Sequence, residues 1–467
     1  MLSADANLAM SFTRLASTVL FPLHERLKGH DSVARRRQLE RSQWLSADEL
    51  AALQLANLKQ FLHDIGHHVP YYKAGFAASG FDPTTMVSVA DLARLPVLGK
   101  ADIRTHAESM KATNHGPLTR YNTGGSSGEP LIFYTGLARK SHDVAAKWRA
   151  TRWWGVDIGD TELVVWGSPI ELGAQDRVRR FRDALMRSHL LPAFEMSAAN
   201  LDHFVARIRA TRPAMLFGYP SSLSLIARHA HTRGVALDDL GVRVVFVTSE
   251  KLYDDQRRSI SSAFGCPVAN GYGARDAGFI AHECPSGSLH ISAEDIVVEI
   301  LRPDGSVAKP GESGEIAVTH LATRDFPFVR YRTGDVGVLS NERCACGRGL
   351  PVLRDVEGRT TDFVVAQDGT VMHGLALIYA LRDLPGIERF KIEQVSLDCT
   401  RVRIVASPPF CAADEERIRG DFKARLGAAV DVRIERVDEI PAEASGKFRY
   451  VSSRVALPQM APEPADA

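Results

Sequence analysis

The chain has 467 residues, 45 % hydrophobic and 24 % charged, so it can bury a sizeable core, and its length allows about three domains. Lys plus Arg number 57 against 56 Asp plus Glu, a net charge of +1, which argues against a dedicated nucleic-acid binder or a polybasic membrane module. Six cysteines cannot build a disulfide framework, which points to the cytoplasm, and no apolar run reaches the roughly 18 residues that a bilayer span requires.

The apolar stretch from Leu15 to Leu23 lacks a basic flank and runs into His24-Glu25-Arg26. It reads as a helix docked on the body rather than a signal peptide, with an interfacial helix as the minor alternative. Residues 1–115 form a helical lead-in, broken at Pro70-Tyr71-Tyr72 and again near Pro83. The middle alternates strand-like runs (Leu163–Trp166, Met215–Gly218, Val242–Val247) with helical patterns at Ala198–Ala210 and Ser221–Arg233. That alternation predicts an α/β body with parallel strands. From about Leu289 the pattern turns β-rich, with runs at Asp295–Ile300 and Gly314–Thr319. The last hundred or so residues pair a strand run at Arg401–Val405 with a charged helix at Asp414–Leu426, the pattern of a small α+β domain. The expected division is a body of residues 1–357 and a small C-terminal domain of residues 358–467.

Thr123-Gly124-Gly125-Ser126-Ser127-Gly128-Glu129-Pro130 is the densest Gly/Ser cluster in the chain. Glycines let backbone approach a polyphosphate, and amides with hydroxyls can wrap its oxygens. The stretch also fits G-x-S-x-G around Ser126, but a nucleophile elbow needs a following helix. Leu131-Ile132-Phe133-Tyr134 reads as a strand instead, which favours the phosphate loop. No Walker A pattern is present.

Further motifs follow in order: Asn270-Gly271-Tyr272-Gly273-Ala274-Arg275-Asp276, Arg330-Tyr331-Arg332-Thr333-Gly334-Asp335, Glu357-Gly358-Arg359 and Pro441-Ala442-Glu443-Ala444-Ser445-Gly446-Lys447. With the Thr123–Pro130 loop, this order resembles the adenylate-forming superfamily of acyl-CoA ligases and adenylation domains. Val69–Tyr72, Leu95–Ile103 and Cys344-Ala345-Cys346-Gly347-Arg348 narrow the resemblance to its phenylacetate–CoA ligase-like branch, with the capsule-biosynthesis-type relatives.

The resemblance implies an ATP-dependent enzyme that converts a carboxylic acid to an acyl-adenylate and passes the acyl group to CoA. The alternative is transfer to an amine, a hydroxyl or a carrier protein. Joining two anions demands positioning and charge neutralisation. By the resemblance, Thr123, Gly124, Gly125, Ser126, Ser127 and Gly128 would hold the β- and γ-phosphates. Asp276 would support Mg²⁺, where relatives often carry the longer Glu. Ser249, Glu250, Asn270, Gly271, Tyr272 and Gly273 would line the nucleotide site, with Tyr272 near the adenine. Asp335 would accept hydrogen bonds from the ribose hydroxyls, and Arg359 would contact the nucleotide near the domain joint. Lys447 would place a point charge on the forming acyl-phosphate bond. The acyl pocket would be walled by Trp166, Tyr219, Pro220 and Thr248. The C-terminal domain would swing between two orientations. Thr361, where many relatives carry a carboxylate, and a Val364–Val371 stretch without the usual glycines bring the CoA half into question.

Cys284 and His290 are separated by five residues, and Cys344 and Cys346 follow about fifty residues later. Three thiolates and an imidazole form a closed set of the kind that holds structural Zn²⁺, with His282 as a substitute for His290. Two rival functions have sequence features of their own. A serine hydrolase would need a His and an acid downstream of Ser126, and a binding-only protein would have lost its catalytic positions.

Overall fold

The computed structural model describes residues 11–122, 131–166, 182–192, 198–359, 363–369, 371–373, 375–382, 384–441 and 449–455. The chain divides into two compact units, the larger chiefly Met1–Thr333 with Gly337–Val356 and the smaller chiefly Glu357–Glu443.

The larger unit opens with helices. One of 22 residues, Ala47–His68, starts at a capping box in which Ser46 and Glu49 satisfy each other's backbone amides. The break at Pro70 spans a single junction residue, Val69, because proline is well suited to the first turn of the next helix, Pro70–Ser79. A two-stranded hairpin follows, β1 (Thr119–Asn122) antiparallel to β2 (Ile132–Thr135). The strand–loop–strand frame read around residues 123–130 is therefore present, while the loop itself lies outside the described residues.

An eleven-stranded sheet is the spine of the molecule. Its strands are β3 (Glu162–Trp166), β4 (Ser188–Pro192), β5 (Met215–Gly218), β6 (Val244–Thr248), β7 (Val268–Ala274), β8 (Gly278–Glu283), β9 (Leu289–Ile291), β10 (Ile296–Leu301), β11 (Ser313–His320), β12 (Tyr331–Leu339) and β13 (Val352–Arg359). Their order is β10-β11-β12-β13-β9-β8-β7-β6-β5-β3-β4. From β4 to β7 the pairs are parallel, and from β7 through β8 to β9 they are antiparallel. Every residue of β5 and β6 is buried, as expected for parallel strands covered on both faces. β6 starts at Val244 rather than Val242, because Gly241 closes the preceding 3₁₀ turn with φ 75°.

The helical lead-in is pinned to this sheet by buried polar groups. Arg149 reaches Glu294 (2.7 Å), Ser292 and the carbonyl of Leu39, and Ser42 donates to the same Glu294 oxygen (2.7 Å). Asn57 and Gln54 donate to the carbonyls of Glu294, Ala293 and Ile296.

The smaller unit has a hairpin, β14 (Phe363–Val365) with β15 (Val371–His373), and a four-stranded sheet. That sheet runs β18 (Asp431–Arg436), β17 (Cys399–Ala406), β16 (Ile387–Ser396), β19 (Val451–Ser453). Buried and half-exposed residues alternate along β17, and helix Ala412–Leu426 buries Ile418, Phe422 and Leu426 at every fourth position. The expected α+β character is observed.

Candidate functional site

The turn between β7 and β8 carries Asp276, whose side chain is almost fully buried. Its Oδ2 accepts a hydrogen bond from the Tyr331 hydroxyl (2.5 Å) and its Oδ1 one from the Ala277 amide (3.1 Å). Arg139, buried on helix Leu137–Trp153, donates to the backbone carbonyls of Asp276 (3.2 Å) and Arg275 (3.3 Å). Its Nε is shared between the carboxylate oxygens of Asp143. Arg275 in turn donates to the carbonyl of Asn122 (3.2 Å), the last residue of β1 and the root of the 123–130 loop. Tyr272 reaches the Thr333 hydroxyl at 3.4 Å, and Leu98 brackets Tyr331 through backbone bonds to Arg330 and Arg332. Four segments quoted from the sequence thus meet at one corner: the loop root, Asn270–Asp276, Leu95–Ile103 and Arg330–Thr333.

Arg330 has an internal task. Buried with φ 53°, it pairs with Glu299 (3.1 Å) and caps the carbonyl of Leu95 (2.5 Å). Two of the glycines assigned to the nucleotide also have reasons inside the fold. A Cβ on Gly271 would stand 2.8 Å from the Phe246 ring, and one on Gly273 would stand 2.4 Å from the Gly278 carbonyl across the β7–β8 bulge. Asn270 donates its amide to Glu283 (2.7 Å).

At the end of β6, Thr248 is buried and Ser249 has φ 73°, a conformation costly for a residue with a Cβ. Strain of this kind is held by its surroundings and concentrates at functional sites. Glu250 accepts from the Ser221 amide (3.2 Å), at the start of the helix whose first residue is Pro220. Tyr219 stacks on Trp166 with ring centroids 4.4 Å apart. The structure therefore gathers the proposed acyl-pocket residues at the ends of β3, β5 and β6. Asp335 lies half-buried within β12. Arg359 ends β13. Thr123, Gly124, Gly125, Ser126, Ser127, Gly128, Thr361 and Lys447 lie outside the described residues.

The Cys/His set assembles at the far end of β8–β9. One ligand atom from each of Cys284, His290, Cys344 and Cys346 lies within 4.8 Å of the others. His290 Nε2 is 3.2 Å from Cys346 Sγ, while its Nδ1 hydrogen-bonds the Leu350 carbonyl (3.1 Å). A carbonyl on one ring nitrogen fixes the tautomer and turns the other toward a metal. The Cys346 amide points at Cys344 Sγ (3.4 Å), and Gly287 closes a turn on the Cys284 carbonyl. The donor set fits a tetrahedral Zn²⁺ site. His282 is the cross-strand neighbour of His290 but is outside the clustered set, stacked on Phe279, and burial pushes its pKa down to about 3, so it is neutral. A second cluster, His142, Asp143 and His320, surrounds the Arg139–Asp143 pair. The guanidinium already neutralises that carboxylate.

Arg139, Tyr331 and Arg275 as braces of Asp276 were not assigned by motif reading. One signal was available: Arg139, His142 and Arg149 recur at helical spacing on the buried stripe of helix Leu137–Trp153, where charge is costly without a partner.

The solved structure of 2-hydroxyisobutyryl-CoA ligase in the postadenylation state, in complex with 2-HIB-AMP, superposes with TM-score 0.71 at 21 % identity, covering 89 % of this chain and 91 % of that one. The same ligase in the thioesterification state gives 0.57 at 20 % identity over the same shares. The fold is therefore that of the adenylate-forming enzymes. Within that class, residues 364–454 match the family described as CapK C-terminal domain. Protein CapK of Staphylococcus aureus is 24 % identical over 422 residues, 87 % of this chain and 90 % of that protein. The phenylacetate–coenzyme A ligase of Thermus thermophilus is 25 % identical over 439 residues, 87 % and 97 % of the two chains. The chain is similar, along most of its length, to CapK and to this phenylacetate–coenzyme A ligase.

Proposed function

We propose that the protein activates a carboxylic acid with ATP, releasing pyrophosphate, and passes the acyl group from the adenylate to CoA. The observation that carries this reading is the corner at Asp276. Asp276, the root of the 123–130 loop and the start of β12 at Tyr331 are tied together by Tyr331, Arg139 and Arg275. A fixed carboxylate beside the root of a Gly/Ser loop is the arrangement that positioning a polyphosphate requires. Mg²⁺, when bound, would neutralise phosphate charge. Asp276 is the carboxylate to support it, with its two oxygens already oriented by Tyr331 and Ala277.

The chain's own residues supply the rest. Loop amides and the hydroxyls of Thr123, Ser126 and Ser127 hold the β- and γ-phosphates. Asp335 accepts from the ribose hydroxyls, Tyr272 lines the base, and Arg359 meets the nucleotide at the joint. Lys447 brings its ammonium to the α-phosphate as the carboxylate attacks. Trp166, Tyr219, Pro220 and Thr248 wall the acyl pocket. Residues 358–467 act as a lid that presents Lys447 for adenylation and withdraws it for thiol attack. Cys284, His290, Cys344 and Cys346 hold a structural Zn²⁺. The cytoplasm, where ATP is present and thiols stay reduced, is the matching compartment.

The test is pyrophosphate release from Mg-ATP over a panel of aryl and alkyl acids, with and without CoA. Acid-dependent release, abolished in Lys447→Ala, supports adenylation. AMP release stimulated by CoA supports the ligase. Acid-dependent turnover indifferent to CoA assigns an amine, hydroxyl or carrier protein as acceptor. Release independent of any acid would refute the reading.

A further inference from the structure

The first described segment presents an apolar stripe to solvent. Residues 11–27 are continuously helical, with a π-helical stretch at Ala16–Leu20 followed by α-helix at Phe21–Leu27. Leu15, Val19, Leu23 and Leu27 are 47, 51, 56 and 80 % exposed, one on each successive turn. A π turn holds more than four residues, so it offsets the sideways drift that spacing by four accumulates along an α-helix. Scattered exposed leucines are ordinary, but four in a line on one helix are not.

The opposite face is firmly seated. Ala16 is buried, and its Cβ lies 2.4 Å from where a Cβ on Gly159 would stand. Phe21 meets the edge of Trp148 at 5.1 Å, and Thr13 donates to Asp160 at 3.0 Å. The helix is thus held in place with its outer face open.

Charge selects the occupant. Arg14, Arg26 and Lys28 are exposed along the same segment, and Arg187 lies 4.1 Å over the ring of Phe12. Within residues 11–30 the single carboxylate is Glu25, which is buried and accepts hydrogen bonds from Ser32, His30 and, at 3.5 Å, the half-exposed Lys28 ammonium. A two-fold pairing of this face with a second copy would set basic side chains against basic side chains, with no exposed acid in the segment to answer them. Along residues 11–28 the exposed charges are cations, while the nearest acids, Asp31 and Asp160, are paired with Arg35 and Arg243; such a stripe fits an anionic lipid surface, where aliphatic side chains enter the acyl boundary and Arg and Lys meet phosphates.

We propose that this face seats the protein reversibly on anionic phospholipid bilayers. No helix among the described residues is long and apolar enough to cross a membrane, so the contact is interfacial. The proposal does not depend on the adenylation chemistry.

The experiment is co-sedimentation of the full chain with vesicles of phosphatidylcholine and phosphatidylglycerol in equal parts, against pure phosphatidylcholine. Binding is expected to the anionic vesicles only and to weaken as salt rises. The double variant Leu23→Glu/Leu27→Glu should lower the partition coefficient by about tenfold or more. The triple variant Arg14→Gln/Arg26→Gln/Lys28→Gln should lower it similarly and flatten the salt dependence, by about the sum of three surface cations. Thermal melting checks that both fold, and both alter exposed positions only. No binding to anionic vesicles, or binding unchanged in a folded Leu23→Glu/Leu27→Glu variant, overturns the proposal. So does a concentration-dependent dimer in light scattering that the same double variant abolishes, which would assign the face to a second copy.

Discussion

At the scale of single residues the proposed site depends on how Asp276 is held. A carboxylate of this length reaches less far than a glutamate, so its orientation matters more. Tyr331 supplies a hydrogen bond to a charged acceptor, an interaction worth about 1.5–3 kcal/mol. Tyr331→Phe removes only the hydroxyl and keeps the ring packed on Phe328 at 4.8 Å. The expected outcome is a higher Mg²⁺ concentration for half-maximal pyrophosphate release and a rate lower by about 10- to 100-fold at fixed Mg²⁺, the kinetic equivalent of that bond. A purely structural role would lower the melting temperature and leave the Mg²⁺ titration unmoved. Asp276 itself was singled out in the sequence by motif order. Its braces were not: Arg139 stands 137 positions away from Asp276, and Tyr331 stands 55 positions away. Spacing along a chain carries no record of such contacts. Gly271 and Gly273 show the converse, since their pattern suggested a ligand while the Phe246 ring and the Gly278 carbonyl also exclude a side chain there.

At the scale of elements, the strands easiest to read were the apolar runs buried on both faces, such as β5 and β6. β4 passed unnoticed because Ser188-His189 dilutes its apolar content, and its pairing with β3 alone makes it an edge strand. The attachment of the helical lead-in was equally silent, since Glu294, which Ser42 and Arg149 share, looks like a surface charge until the fold buries it. The pairing of Arg149 with Glu294 leads to a stability prediction. Glu294→Ala leaves the Arg149 guanidinium buried without its counter-ion, a loss of about 3–5 kcal/mol. Urea unfolding should show the midpoint falling with the slope retained. Replacing both, as Arg149→Met/Glu294→Leu, should recover much of that loss, because the cost lies chiefly in the stranded charge. A double variant no better than the single would contradict this account.

At the scale of the whole molecule, the order of α/β, β-rich and α+β segments could be read from periodicity alone. The joining of the first two into one eleven-stranded sheet could not, because β13 pairs with β9 across some sixty residues of chain. The Cys/His cluster lies at that same junction. It connects Cys284 and His290, on either side of the β8–β9 turn, to Cys344 and Cys346 in the loop before β13. A metal there would close a long loop, and binding energy that exists only in the folded state adds directly to stability. The protein as purified should contain about one zinc per chain, as expected for a single four-ligand site. Removing it with a strong chelator, or by Cys344→Ser/Cys346→Ser, should lower the melting temperature by several degrees. Four protein ligands leave no open position for chemistry, so the fraction that remains folded should keep acid-dependent pyrophosphate release per active molecule. Zinc absent from metal analysis of freshly purified protein would remove the metal from the account. Activity that falls in step with bound zinc while the melting temperature stays constant would move it from scaffold to mechanism.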